Sequence, residues 1–229
     1  TVTKNGVKKA VYGNIGKPED VQAVVQNGGE GIGLFRTEFL FMDRMSRPTE
    51  AEQFEAYATV AKAMNGREVI IRTLDIGGDK EIPYLEIEKE DNPFLGHRAI
   101  RYCLDHPDLF CDQIRAILRA AKFGDLKLML PLITCKEEIL AAKKLIEQCL
   151  RELIEAGEDV HPVPVGIMVE TPAAALTAAE LAKESDFFSI GTNDLTGYVM
   201  AVDRGNQAVA RLYDPMQPAV LSAIEMTIK

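Results

Sequence analysis

Residues 187–204 read FFSIGTNDLTGYVMAVDR, and this stretch shows how the chain is built. Its first four residues (187–190) are apolar in succession, which is typical of a parallel strand buried on both faces. The run ends abruptly, and Asn193, Asp194 and then Arg204 follow. An amide, a carboxylate and a guanidinium therefore come after a strand that is otherwise apolar. The pattern predicts polar chemistry at the end of that strand.

Five further apolar runs precede this one, and segments with helical signals separate them. Thr49 and Glu52 form a T-x-x-E capping box, which predicts a helix start. Apolar residues recur at helical spacing over 108–123 and 135–156, and Thr171-Pro172 predicts a capped helix with proline in its first turn. Strands that alternate with helices predict an α/β domain with a parallel sheet. The five runs are KKAVYG (8–13), GIGLF (31–35), EVIIRTL (68–74), LKLMLPLI (126–133) and PVGIMV (164–169).

The strand ends favour a barrel over a doubly wound sheet. In a barrel the carboxyl ends of all strands meet at one mouth, whereas an open sheet uses a few strands at one crevice. Here all predicted strands but one end in polar residues, so we expect a (β/α)8 TIM-type barrel truncated to about six β/α units. We expect one barrel domain over residues 1–229, incomplete at its C-terminus. The strand-end groups are Asn14, Arg36-Thr37-Glu38, Arg72-Thr73-Leu74-Asp75, Glu170-Thr171 and Asn193-Asp194.

Composition limits the classes of function. The 229 residues are 47% hydrophobic and carry a net charge of −9, which argues against a nucleic-acid binder with a basic face. The four cysteines show no metal-binding or disulfide spacing. No stretch is long and apolar enough to insert into a membrane, and the first ten residues lack a signal-peptide core. We expect a soluble cytoplasmic protein.

The charged residues at the strand ends predict an anion site with a divalent cation. Arg36, Arg72 and Arg204 can bind carboxylate or phosphate bidentately, with Lys80 and Arg98 as further candidates. Carboxylates beside an anionic ligand repel it unless a cation lies between them. Mg²⁺ suits such a set because it is held by one or two carboxylates, substrate oxygens and water. Glu170 and Asp194 offer that pair, and Gly77-Gly78 can let backbone approach an anion.

Each of these residues also has a structural explanation. Arg72 and Asp75 could form a salt bridge, and Glu170 could favour the start of the next helix through its dipole. Asn193-Asp194 could cap a helix. Lys80 and Arg98 fit ordinary surface or supporting charges. Coincidence at five strand ends favours a functional site, yet the individual assignments stay open on spacing alone.

The motifs GLFRTEFLFM, RTLDIGGDK, NPFLGHRAIR, GIMVETPAA and SIGTNDLTGYVMAVDR, in this order, resemble a known family. The resemblance is to the C-terminal, phosphoenolpyruvate (PEP)-binding domain of enzyme I, the phosphoenolpyruvate-protein phosphotransferase of the bacterial sugar phosphotransferase system. It extends over essentially the whole chain. Pyruvate phosphate dikinase and PEP synthase are related alternatives with the same barrel.

The resemblance implies a role for each matched residue. Arg36, Arg72 and Arg204 match arginines that bind the phosphate and carboxylate of PEP, and Arg98 matches an arginine near the pocket. Asn193 matches a contact to the substrate phosphate. The Mg²⁺ ligands correspond to Glu170 and Asp194, and Asp194 is also among the expected PEP-binding residues. As in the family, Mg²⁺ is the expected cofactor and phosphoryl transfer the expected transferase chemistry.

The resemblance also implies partners and departures. In the family, the phosphoryl group passes to a histidine on an N-terminal domain and then to a histidine-containing phosphocarrier protein. The enolate that is left is protonated by a cysteine and becomes pyruvate. We expect both the histidine domain and that cysteine to be absent here, so that the isolated chain does not complete turnover. The family barrel also forms a homodimer, which leaves a dimerisation module as the alternative of another class. Gly197 and His97 depart from the family's usual glutamine and tryptophan.

Overall fold

A computed structural model describes residues 1–78, 82–85 and 87–229. Within these residues six strands alternate with helices, which confirms the mixed α/β class. The strands are β1 (Tyr12–Ile15), β2 (Gly31–Arg36), β3 (Val69–Arg72), β4 (Leu126–Leu130), β5 (Val165–Val169) and β6 (Phe188–Ile190). The α-helices are α1 (Val21–Gln26), α2 (Glu38–Phe41), α3 (Glu50–Met64), α4 (Ile100–Asp105), α5 (Pro107–Ala120), α6 (Lys136–Glu155), α7 (Pro172–Leu176), α8 (Ala178–Leu181), α9 (Thr192–Met200) and α10 (Pro218–Ile228).

The strands form one parallel sheet in the described part of the chain, in the order β1-β2-β3-β4-β5-β6. A doubly wound sheet reverses its strand order at a switch point, and this sheet does not. Sequential parallel strands linked by helices are consistent with six consecutive units of a truncated TIM-type barrel. Closure into eight units goes beyond what is observed.

Two compact units divide the chain. The first contains Thr1–Leu128 and Leu145–Pro164, and the second contains Met129–Lys144 and Val165–Lys229. In the first unit the core is formed by strands β2 and β3 with helices α3 and α5, whose inward side chains are fully buried. In the second unit β5 pairs with β6, and α10 packs on α7 and α9.

Helix starts follow the sequence signals closely. The capping box at α3 is formed, because the Thr49 hydroxyl accepts from the Glu52 N–H and the Glu52 carboxylate accepts from the Thr49 N–H. Thr171 caps α7 by accepting from the Ala174 N–H at 3.1 Å, and Pro172 occupies the first helical position, where no N–H is needed. Both predicted helix starts are confirmed. No helix among the described residues combines the length and apolarity that crossing a membrane would require.

The strand boundaries required correction at three places. The first strand was predicted over 8–13 but lies at β1, because pairing with β2 begins at Tyr12 and the preceding residues are exposed. Asn14 consequently lies inside this strand and not after it. The fourth strand stops at Leu130, since Pro131 has no N–H for a sheet ladder. The third stops at Arg72, where the chain begins to bond to side chains instead of to neighbouring strands.

Candidate functional site

Arg36 and Arg72 are the last residues of neighbouring strands and are register partners in the parallel β2–β3 pair. Register partners on adjacent strands project to the same side of a sheet, so the two guanidinium groups share one edge of the first unit. Arg72 is buried, whereas Arg36 is half-buried with its guanidinium carbon 4.8 Å from the centre of the Phe39 ring. The described structure thus brings together the two arginines that the sequence predicted at strand ends.

Two carboxylates hold Arg72. Its Nη2 donates to Glu38 Oε1 at 2.8 Å and lies 3.0 Å from Asp75 Oδ2. The other oxygen of Asp75 accepts from Arg98 Nη2 at 2.9 Å. The Arg72–Asp75 salt bridge considered from the sequence is therefore present. This salt bridge is compatible with a binding role, because ion pairs can also hold a guanidinium in place for a ligand.

Of the two structural alternatives for Arg98, a surface charge or a supporting charge, the structure agrees with the supporting one. Its side chain is 4% exposed, and it is ion-paired through Asp75 to Arg72. Gly77 allows this arrangement: its φ is +93°, and a Cβ there would lie 2.6 Å from the Cβ of Arg98. Lys80, the other supporting charge considered, lies outside the described residues.

Charges of both signs gather at these strand ends. Ion pairs link Arg72 and Arg98 to the carboxylates of Glu38 and Asp75, and Arg36 interacts electrostatically with Asp20. Burial without pairing would make buried cations costly to hold. Paired in this way, Arg72 and Arg98 are preorganised beside the ends of β2 and β3.

A buried polar network behind these strand ends was missed from the sequence. Gln113 of α5 donates to the Thr37 hydroxyl at 3.1 Å and to the Tyr57 hydroxyl at 3.0 Å, and its Oε1 accepts from the Leu74 N–H at 2.8 Å. Thr37 in turn donates to the carbonyl oxygen of Arg72 at 2.8 Å. Burial raises the pKa of Tyr57, so its hydroxyl stays neutral. The available signal was a glutamine on the apolar stripe of α5.

Glu170 is the first residue after β5 in the second unit, and it is 2% exposed. Its Oε1 accepts from the Leu132 N–H at 2.7 Å. Gly191 passes directly over this carboxylate, because a Cβ at that position would lie 2.7 Å from Glu170 Oε2. The abrupt end of the apolar run 187–190 therefore has a steric cause, since any side chain at position 191 would displace the carboxylate.

Asp194 lies in the first turn of α9 with 13% of its side chain exposed, and Arg204 Nη1 is 3.6 Å from its Oδ1. Neither Asn193 nor Asp194 is the helix cap, because the N-cap residue is Gly191. That structural alternative was wrong. The carboxylate near the α9 N-terminus is favoured by the helix dipole, and it pairs with the predicted arginine.

Tyr213 is a second residue that the sequence did not reveal. Its hydroxyl donates to the Asn193 carbonyl at 2.9 Å, and burial raises its pKa while the neighbouring Arg204 lowers it. Tyr213 thereby links the start of α9 to the loop that carries Arg204. Gly197 lies inside α9, and a Cβ there would meet the Val202 carbonyl oxygen at 3.2 Å. Glycine replaces the family's usual glutamine at a position where even a Cβ would be in tight contact with the backbone.

The two predicted magnesium ligands are carboxylates, the group that Mg²⁺ prefers, and they follow neighbouring strands. Glu170 and Asp194 follow β5 and β6, which pair in register from Ile167–Phe188 to Val169–Ile190. Among the described residues there is no group of three or more His, Cys, Asp or Glu side chains that could hold a metal. A site with three or more such protein ligands is therefore not formed there, whereas Mg²⁺ needs only one or two carboxylates beside water and substrate oxygens.

No cysteine or histidine is among the predicted site residues. Cys103 and Cys149 are buried, as expected for core thiols, and burial raises the pKa of both, to about 12 for Cys149. His97 pairs with Asp105 at 2.9 Å on the surface. His106 lies with its ring stacked on Tyr102. Cys103 lies against a predicted strand end, since its thiol donates to the Leu74 carbonyl oxygen at 3.6 Å, whereas the two histidine contacts involve no predicted site residue.

Comparison with known proteins bears directly on this arrangement. A family model described as PEP-utilising enzyme, PEP-binding domain, matches residues 1–229. The chain belongs to this PEP-binding domain family. The resemblance inferred from the motifs is thereby confirmed. The roles of the individual site residues stay predictions.

Curated relatives of this PEP-binding domain carry one name. The phosphoenolpyruvate-protein phosphotransferases of Bacillus subtilis and Haemophilus influenzae are 52% and 55% identical over 230 and 228 residues, and that of Geobacillus stearothermophilus is 54% identical over 229. These alignments cover 99–100% of this chain but 40% of each relative. The chain thus spans about two fifths of the length of the relatives it matches.

A solved structure of a citrate lyase from Burkholderia xenovorans is also similar. It matches with a TM-score of 0.57 at 22% identity, covering 96% of this chain and 60% of that chain. At this identity the likeness concerns the fold alone. It supports the TIM-like assignment of the PEP-binding domain and carries no argument about chemistry.

Proposed function

We propose that this chain is the substrate-binding barrel of a phosphoenolpyruvate-protein phosphotransferase and that it binds PEP with Mg²⁺. The observation that carries the proposal is the register pair Arg36–Arg72 at the ends of β2 and β3, with Arg72 fixed by ion pairs to Glu38 and Asp75. PEP presents a phosphate and a carboxylate, the two groups that guanidinium binds bidentately. The names of the relatives support the same assignment.

The proposed contacts to PEP come from four arginines and one amide. Arg36 and Arg72 bind the anionic groups from one strand edge, and Arg98 supports Arg72 through their shared partner Asp75. Arg204 and Asn193 contribute from the α9 region, where Arg204 already lies beside Asp194. Since ion pairs hold Arg72, Arg98 and Arg204 before the ligand arrives, little entropy of these side chains is lost on binding.

Glu170 and Asp194 are the proposed Mg²⁺ ligands. The Oε1 of Glu170 is held by the Leu132 N–H, and Gly191 passes over its Oε2. Asp194 is oriented by the first turn of α9. A bound Mg²⁺ supplies charge neutralisation at the oxygens of the transferred phosphoryl group.

The proposed reaction belongs to the whole protein. The arginines hold the phosphoryl group and stabilise the charge that develops on it while it passes to a histidine on another domain. From there it passes to a histidine-containing phosphocarrier protein of a sugar phosphotransferase system, and pyruvate is left. None of His97, His106 and His161 is assigned the acceptor role, and no cysteine of this chain is assigned as the proton donor. We further propose a cytoplasmic homodimer for the parent enzyme.

Calorimetric titration of the chain with PEP, with and without Mg²⁺, tests the proposal. Arg36→Met removes a guanidinium that contacts the Phe39 ring, and Arg67→Met removes an exposed one that bonds to the Gly29 carbonyl. We expect Mg²⁺-dependent binding in the wild type, a loss of about ten- to hundredfold in Arg36→Met, and unchanged affinity in Arg67→Met. Absent binding, binding indifferent to Mg²⁺, or equal losses in both variants would refute the proposed pocket.

A further inference from the structure

Beyond its arginines, the first unit contains a side chain that bonds to both segments of chain that follow the arginine-bearing strands. Gln113 of α5 is 0% exposed, and its amide reaches Thr37, which follows Arg36, and Leu74, two residues after Arg72. Ladder hydrogen bonds stop where β2 and β3 end, so the sheet alone does not orient the backbone beyond these residues. Hydrogen bonds from a buried amide can supply that orientation.

Two backbone groups at the ends of this network determine the direction of its hydrogen bonds. The Arg72 carbonyl can only accept, so Thr37 donates to it and must itself accept from the amide nitrogen of Gln113. The Leu74 N–H can only donate, so it requires the amide oxygen. One orientation of the Gln113 side chain satisfies both demands, and its second amide hydrogen then meets Tyr57.

Thr37 departs from the usual behaviour of its residue type in this arrangement. It is the N-cap residue of α2, where a threonine hydroxyl normally accepts from a helical N–H, yet no side-chain cap is formed there. Its hydroxyl bonds to the Arg72 carbonyl instead. A local helix cap is thus given up for a contact that connects the ends of two strands, which is expected where position matters more than local stability.

We propose that Gln113 is a positioning residue for PEP binding, which fixes the spacing of Arg36 and Arg72 by holding the Thr37 hydroxyl after the first and the Leu74 N–H after the second. The role rests on the proposed function, because it has meaning only if these arginines bind the substrate. A displacement on the order of 1 Å at a binding group can cost about a hundredfold. Gln113 itself contacts no ligand.

Gln53 offers a matched control. It is also a buried amide, 1% exposed, and it belongs to the same network, since it accepts from the Tyr57 hydroxyl at 3.2 Å. Its other bond goes to the Pro48 carbonyl, away from the strand ends. Gln113→Met and Gln53→Met therefore each replace a buried amide by a methionine side chain and should affect the stability of the core similarly. Only the first removes the hydrogen bonds to Thr37 and Leu74.

The test measures PEP affinity with Mg²⁺ by calorimetry and stability by urea unfolding in the wild-type chain and both variants. We expect both variants to lose stability and only Gln113→Met to lose PEP affinity, by about tenfold or more. Equal affinities in the two variants, beside a wild type whose binding depends on Arg36, would overturn the positioning role alone. A wild type without measurable PEP binding would overturn both this inference and the proposed function.

Gln113→Glu keeps the result decisive if Gln113→Met does not fold. A protonated glutamic acid retains an acceptor for the Leu74 N–H and one donor, whereas the ionised form has no donor for Thr37. The ratio of variant to wild-type PEP affinity removes the titration of PEP itself. We expect this ratio to fall as pH rises and the carboxyl ionises; a ratio independent of pH between 5 and 9 would contradict the role of the amide donor.

Discussion

Gly191→Ala is expected to disturb the proposed metal ligand Glu170 without changing any charge. The new methyl group would lie 2.7 Å from Glu170 Oε2 and 2.8 Å from its Cβ, where ordinary contact begins at 3.4 Å. The carboxylate must therefore move by about 0.7 Å, the difference between 3.4 and 2.7 Å. It is held by the Leu132 N–H at 2.7 Å, so this hydrogen bond stretches or breaks.

The size of the effect follows from two opposing contributions to the free energy of unfolding. Loss of a hydrogen bond to a charged group costs about 1.5–3 kcal/mol. The backbone of Gly191, at φ −84°, is outside the left-handed region, so alanine is tolerated and gains about 0.4–1 kcal/mol from a less flexible unfolded chain. We expect a net destabilisation of about 1–2 kcal/mol, together with a loss of about tenfold or more in Mg²⁺-dependent PEP affinity.

The assay combines urea unfolding with calorimetric titration of PEP at several Mg²⁺ concentrations. Gly205→Ala is the control. Its methyl group would lie 3.3 Å from Asp203 Oδ1 and would therefore be far less crowded than a methyl group at position 191. We expect raised Mg²⁺ requirement in Gly191→Ala and a wild-type requirement in the control. The reasoning is refuted if Gly191→Ala needs no more Mg²⁺ than the wild type, since the carboxylate would then not be a ligand whose position matters.

Two further predictions concern titration and reactivity. The Arg44 guanidinium and the Thr49 groups hold the pKa of Glu52 at about 2, below its ordinary 4.5, so its stabilising interactions are complete above pH 4.5 and are lost as pH falls towards 2. The free energy of unfolding of Glu52→Gln should therefore be lower than that of the wild type at neutral pH, and it should change less with pH in this range. Identical pH profiles of the two proteins would contradict the pairing. Because burial raises the pKa of Cys149 to about 12, a thiol reagent at pH 8 should label the partly exposed Cys135 first. Labelling of Cys149 at the rate of Cys135 in the native protein would contradict this.

The strands were predictable because their signals are local. Apolar runs located five of the six strands, and Thr49 and Thr171-Pro172 located two helix starts, since capping depends on residues three positions apart. The first strand failed because KKAV has strand-like composition but lies where the neighbouring strand does not reach. Pairing with a partner that is 19 positions away, Tyr12 with Gly31, decided that boundary, and composition does not encode it.

The site was predictable in its charges but not in their support. Arg72 and Asp75 are close in sequence, so their ion pair could be anticipated, whereas Gln113 lies 76 residues from Thr37 and 39 from Leu74. Its role arises only when α5 packs behind β2 and β3. The sequence does contain a trace of it: a glutamine between Phe110, Ile114 and Ile117 interrupts an apolar stripe, and a buried polar side chain needs partners.

The formal charges of the proposed binding residues explain why a divalent cation should be required. In the second unit the proposed Mg²⁺ ligands Glu170 and Asp194, taken with Arg204, carry one formal negative charge. In the first unit the named charges balance: Arg36, Arg72 and Arg98 against Asp20, Glu38 and Asp75. The guanidinium groups give each set its geometry but no excess attraction for an anion. The attraction would then come from the two charges of Mg²⁺, so that PEP binding without the ion should be weak even with every arginine in place.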